Sequence, residues 1–114
     1  RIADGEPVEI EADLNSTLTA GPFEVYNTIG EIRGSEKPGE VVIVSAHLDS
    51  WNGPGSQGCT DNGTGSAVVM EAARILSAAI KNGAKPPKRT IRFIHCPGEE
   101  QGLLGSKEYS AKRK

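Results

Sequence analysis

Residues Val8 to Leu14 alternate apolar and polar as Val8-Glu9-Ile10-Glu11-Ala12-Asp13-Leu14, the period of two that marks a strand with one face in water. A stretch rich in Ser, Thr, Asn, Gly and Pro runs from Asn15 to Pro22, and alternation returns from Phe23 to Arg33. The two segments are expected to pair antiparallel across that connection. Two glycines, a proline and three charges between Gly34 and Glu40 mark an exposed turn. Val41 to Ala46 is then apolar without alternation, which predicts a central strand covered on both faces, with His47 and Asp49 at its carboxyl end.

Ser50 to Gly63 contains four glycines and a proline, but also Asp61, and reads as an active-site loop. Thr64 is placed to cap a helix on which Val69, Ala72, Ala73, Leu76 and Ile80 repeat at three- and four-residue steps; Asn82-Gly83 should end it. A basic turn around Pro86-Pro87 leads to Thr90-Ile91-Arg92-Phe93-Ile94-His95, a fourth strand whose end presents Glu99 and Glu100. Strand, helix, strand in this order is a crossover unit, and open α/β sheets bind ligands beyond the carboxyl ends of such strands. The fold class is therefore α/β, and 114 residues suit one domain.

Composition narrows the function. Aromatic residues make up only 4% of the chain, so the core must come from Val, Ile, Leu and Ala. A net charge of −2, from 13 basic and 15 acidic residues, provides no field to hold a polyanion, so no nucleic-acid partner is expected. Val41-Val42-Ile43-Val44, the longest apolar run, is far too short to span a bilayer, and no membrane partner is expected. Two cysteines do not settle the redox compartment.

The chemistry sits in three short stretches: His47-Leu48-Asp49, Asp61-Asn62 and Glu99-Glu100. Taken singly, each has a plainer reading: a polar strand end, a turn, a solvated acidic pair. Their joint placement at one edge of the predicted sheet changes this. Clustered carboxylates raise one another's pKa unless cations neutralise them, so a metal would account for the grouping. Glycines at 53, 55, 58, 63, 65, 98 and 102 allow a compact site.

The order His-x-Asp, Asp-Asn-Gly-x-Gly opening a helix, Pro-Lys-Arg-Thr-Ile-Arg-Phe, and Gly-Glu-Glu-Gln-Gly-Leu-Leu-Gly-Ser resembles the co-catalytic dizinc exopeptidases, which include secreted bacterial aminopeptidases and glutamate carboxypeptidases. The resemblance runs from about Val41 to Ser106. It implies a three-layer α/β/α fold with a mixed β-sheet, of which these four strands, one full helix and the start of a second would form about the amino-terminal half. It implies two zinc ions, with His47 on one, Glu100 on the other and Asp61 bridging, and Glu99 as general base. Asp49 would hydrogen-bond His47 from behind, and the Asp61–Asn62 peptide would be cis. The implied reaction is hydrolysis of a peptide substrate, most simply as an aminopeptidase. Glu99 would take a proton from the attacking water and return it to the leaving amine. Trp51 and Asn62 are candidates for the substrate cleft, Trp51 equally for packing within its loop. A secreted or periplasmic location is implied as well.

Further ligands in that family, an aspartate and a histidine, come from beyond Glu99-Glu100, whereas this sequence ends at Lys114. The expectation is a partial catalytic domain, residues 1–114, truncated at its carboxyl end. Each zinc would have two protein ligands, so binding should be weak and turnover slow or absent. The rival readings are a non-catalytic fragment or self-associating module, and another binuclear amidohydrolase such as a deacetylase. An unpaired apolar strand edge predicts a homo-oligomer. Cys59 and Cys96 flank the site; two unrelated buried thiols is the plainer reading, and a disulfide or thiolate coordination the sharper one. His95 reads as structural, and the Lys112-Arg113-Lys114 tail as a solvated helix end.

Overall fold

The structure is a computed structural model that describes residues 2–5, 7–17, 19–51, 53 and 55–113. After a single 3-10 turn at Ile2–Asp4, the described residues as far as Asn27 carry neither helix nor strand. The expected strand over Val8–Leu14 is therefore absent: Ile10 and Leu14 are 88% and 84% exposed. Alternation makes a segment fit for a sheet edge, but the strand exists only where an edge receives it.

Three strands form one mixed sheet. β1 (Thr28–Ile32) covers only the end of the second alternating segment and pairs antiparallel with β3 (Arg89–Cys96); β2 (Lys37–His47) pairs parallel with β3. The order is β1-β3-β2. Two expectations change here. Four strands reduce to three, and the apolar run Val41–Ala46 lies on an edge strand instead of a central one, with Val42 and Ile43 about half exposed. The centre belongs to β3, whose Thr90, Phe93, Ile94 and Cys96 are buried. β2 also starts four residues early, at Lys37, through an irregularity between Lys37 and Val41 that accommodates Pro38 and Gly39.

The helix α1 (Gly65–Lys81) connects β2 to β3 and packs on both, burying Val69 and Ser66. Its end follows the expected pattern. Gly83 adopts φ 95°, Ala84 N–H donates to Ala79 O at 2.9 Å, and Gly83 N–H donates to Ile80 O at 3.0 Å, the paired bonds of a Schellman cap. Its start differs. Thr64 makes no capping bond and donates its hydroxyl to Thr60 O, whereas Asn62 Oδ1 accepts Gly65 N–H at 3.0 Å. A second helix, α2 (Leu104–Ala111), packs on β3. His95 meets Ser66 O of α1 at 3.2 Å, which bears out its structural reading, and Arg92 donates to the Tyr109 hydroxyl of α2 at 2.5 Å. Lys112 pairs with Glu108 of the same helix at 2.9 Å, and Lys114 lies outside the described residues. Among the described residues, no helix is long and apolar enough to cross a membrane.

Candidate metal centre

Strand register brings the site together. In the parallel β2/β3 pair His47 stands opposite Cys96, and Leu48 N–H donates to Cys96 O at 2.9 Å, so both chains leave the sheet side by side. Three residues past Cys96 come Glu99 and Glu100, held by a compact turn. Gly102 and Leu103 donate to Glu99 O, Leu104 donates to Gly98 O, and Gly105 donates to Pro97 O, all at 2.9 to 3.0 Å. Gly98 turns the chain at φ 68°, where a side chain would be strained and would press on Leu104.

The third element arrives from the loop. Cys59–Thr64 forms a kinked π-type turn in which Asp61 and Asn62 leave helical geometry, and the Asp61–Asn62 peptide is cis, as the resemblance implies. Gly58 O accepts Gly63 N–H at 2.7 Å and closes the turn, so that Asp61 Oδ1 lies 2.9 Å from His47 Nε2. His47, Asp61 and Glu100 each offer one ligand atom, and these atoms all lie within 4.8 Å of one another. Glu99 stands beside them, its Oε2 3.9 Å from His47 Nε2.

The imidazole is held by a backbone carbonyl. His47 Nδ1 lies 3.0 Å from Asp49 O, which assigns a proton to Nδ1, and Nε2 faces the carboxylates. The expected bond from the Asp49 carboxylate to His47 is not made, since Oδ1 lies 3.6 Å from Nδ1. Instead, Asp49 Oδ1 accepts the Glu99 amide and Oδ2 the Glu100 amide, each at 3.1 Å. Ser66 completes the frame, its hydroxyl donating to His47 O at 2.9 Å. Sequence reading missed Ser66, because a serine in the first turn of a helix carries no signal that it ties that helix to the neighbouring strand.

Electrostatics follow from this packing. Burial alone would lower the His47 pKa, but the Asp49 carbonyl and the Glu99, Asp61 and Asp49 charges outweigh it and raise the pKa above the usual value. Burial would raise Asp49, and the Glu99 and Glu100 amides overcome it, holding the carboxyl below its ordinary range. Glu100 goes the other way, raised by burial and by the Asp61 and Glu99 charges. A carboxylate lifted by its neighbours is one that a cation would relieve.

Beside these groups lies an open cleft of about 260 Å³ lined by Ser45, His47, Asn62, Cys96, Glu99 and Ser106. Asn62 thus lines the cleft while its side chain caps α1, and Trp51 is 66% exposed in its loop. Asn52 and Pro54, in the same loop, lie outside the described residues. Cys59 is exposed and Cys96 buried, both as free thiols; no disulfide joins them, and the ligand group contains neither. A larger hollow of about 580 Å³ lies between Val25–Ile29 and α2, away from the ligand group.

The sequence profile of peptidase family M28 matches residues 27–114. Carboxypeptidase Q of Xenopus laevis is 46% identical over 84 residues, 74% of this chain and 17% of that protein. Aminopeptidase NAALADL1 of Rattus norvegicus is 38% identical over 84 residues, 74% of this chain and 11% of that protein. Transferrin receptor protein 1 of Gallus gallus is 32% identical over 102 residues, 90% of this chain and 12% of that protein. The chain therefore spans about a sixth of the carboxypeptidase it matches.

Proposed function

Because the chain belongs to peptidase family M28, we propose that it carries the zinc-binding and proton-transferring part of an exopeptidase site. One observation carries the reading: ligand atoms of His47, Asp61 and Glu100 gather within 4.8 Å at the end of β2 and β3. One imidazole and two carboxylates are a donor set that zinc accepts, and shared between two ions with Asp61 bridging they would give each ion two protein ligands, one short of the three usual at catalytic zinc. His47 would bind through Nε2, because Nδ1 is engaged by Asp49 O. Asp61 would bridge a pair of ions, and Glu100 would serve the second of them. Bound zinc would supply Lewis acidity and make water acidic enough to ionise near neutral pH.

Glu99 does the proton work in this proposal. It stands at the rim of the ligand group and lines the cleft, close enough to reach a water held there. It would accept that proton and return it to the leaving amine. Peptides are the proposed substrate. Trimming from the amino end is the direction proposed, carried over from the resemblance to secreted aminopeptidases. The relatives' names include both an aminopeptidase and a carboxypeptidase, which supports exopeptidase chemistry in either direction.

The test is zinc titration by chelator competition, together with hydrolysis of peptides blocked at one end or the other. Weak but saturable zinc binding is expected, with slow cleavage that falls on peptides with a free amino end. Glu99→Gln should lower kcat by at least about 100-fold while zinc binding is retained. Full activity in that variant removes Glu99 from the mechanism. A second reading, a non-catalytic module, draws support from the match to a receptor over 90% of the chain. It requires neither saturable zinc binding nor hydrolysis.

A further inference from the structure

Asp49 has no ligand atom in the metal group, yet it touches both halves of the site. Its carbonyl accepts from the His47 imidazole at the end of β2. Its carboxylate accepts from the Glu99 and Glu100 amides, 50 and 51 positions further along the chain, at 3.1 Å each. Two oxygens receive two successive N–H groups, one apiece, and the side chain is only 20% exposed. The turn's backbone–backbone hydrogen bonds among the described residues are local, between residues 97 and 105, and Asn27 Nδ2, which donates to Gly105 O at 2.9 Å, ties it to the segment before β1. None of those fixes the turn relative to β2.

We infer that Asp49 is the positioning residue of the glutamate pair: its carboxylate clamps the Glu99 and Glu100 amides and sets where their side chains stand relative to His47. This inference rests on the zinc reading proposed above. A carboxylate is needed, because each amide presents only a donor. An amide side chain at position 49 would offer one oxygen to one N–H and turn its own NH₂ against the other. The same residue holds the imidazole through its backbone carbonyl, so substitution of the side chain should spare the hydrogen bond that orients His47 and release the glutamate arm.

The test compares Asp49→Asn and Asp49→Ala with the wild-type 114-residue chain. In the metal-free state, heteronuclear NMR should show the Glu99 and Glu100 amide protons shifted downfield by the carboxylate. Both should move upfield in Asp49→Ala and at least one in Asp49→Asn. Zinc affinity, measured by chelator competition on the folded protein, should fall by about 10- to 100-fold in both variants, the range typical of groups that orient metal ligands. Should the alanine variant fail to fold, the near-isosteric asparagine variant carries the test alone. Unmoved amide protons overturn the clamp. Moved amide protons with unchanged zinc affinity overturn the positioning role and leave a structural one, which would show only as a lower unfolding midpoint. If the wild-type chain binds no zinc at all, the metal reading fails, and the amide shifts still decide the clamp.

Discussion

Asp49 and Glu100 respond to burial at the same site in opposite ways, and the sign of each response is fixed by what surrounds it. Asp49 is held below its ordinary value, so its charge stabilises the fold above about pH 4, where the unfolded aspartate is ionised, and this contribution is lost as pH falls through the lowered folded pKa. Glu100 is raised, so its charge costs stability once the unfolded glutamate ionises above about pH 4.3, and acidification through the raised folded pKa removes that cost. Urea unfolding in the presence of a chelator should separate the two. Asp49→Asn should be less stable than wild type at pH 6, with the gap narrowing towards pH 3. Glu100→Gln should be more stable than wild type at pH 7, and the advantage should vanish below about pH 4. Parallel pH profiles for the two variants would contradict this assignment. At this scale the sequence disclosed which side chains gather, since His47, Asp61, Glu99 and Glu100 stand in a distinctive order. It did not disclose that Asp49 turns its carboxylate to the glutamate amides, because those amides belong to a segment 50 residues away.

Elements were legible where local signals suffice and obscure where a partner decides. The helix α1 follows from apolar spacing and from Asn82-Gly83, and both the helix and its Schellman end are present. The segment Val8–Leu14 has an equally regular pattern but is no strand, since a strand needs an edge to pair with and pattern alone does not supply one. β2 shows the converse. Its start at Lys37 was hidden by Pro38 and Gly39, and is fixed by a staple to β3 that only the fold reveals. Gly34 N–H donates to Thr90 Oγ1 at 3.1 Å, and Thr90 Oγ1 donates to Pro38 O at 2.8 Å, with Thr90 fully buried. Gly34 lies so close to β3 that a Cβ there would sit 2.5 Å from the Arg89 carbonyl carbon and 2.6 Å from the Thr90 nitrogen. Backbone atoms on a paired strand cannot yield to it. Gly34→Ala should therefore lower stability by about 1–3 kcal/mol, the usual range for overpacking. Gly39→Ala, whose added methyl group meets nothing within 4 Å, is the control expected to change it little. Equal denaturation midpoints for the two variants would show that the connection between β1 and β2 is not pressed against β3 at Gly34.

The whole molecule is long for its size. A compact chain of this length has a radius of gyration of about 13 Å, and the value here is 21.0 Å, with extents of 70 × 27 × 27 Å. Two further features bear on how the chain behaves in solution. Among the described residues its buried apolar core is small, confined to Val69, Phe93, Ile94 and Cys96. Its sheet is open on the outer side of β2, where no strand pairs among the described residues and Val41, Val42 and Ile43 are 39–51% exposed. We propose that a second copy of the chain pairs along this edge. Unpaired apolar strand edges are templates for such pairing, and a twofold arrangement makes the edge its own partner. Sedimentation velocity across a concentration series should show the mass rising from monomer towards dimer. Ile43→Lys should hold the chain monomeric by placing a charge in the would-be interface. Because position 43 lies four residues before His47, the same variant should leave zinc binding at the end of β2 intact, which separates lost pairing from lost folding. A wild-type chain that remains monomeric at the highest concentration would show that β2 stays unpaired despite its exposed apolar side chains.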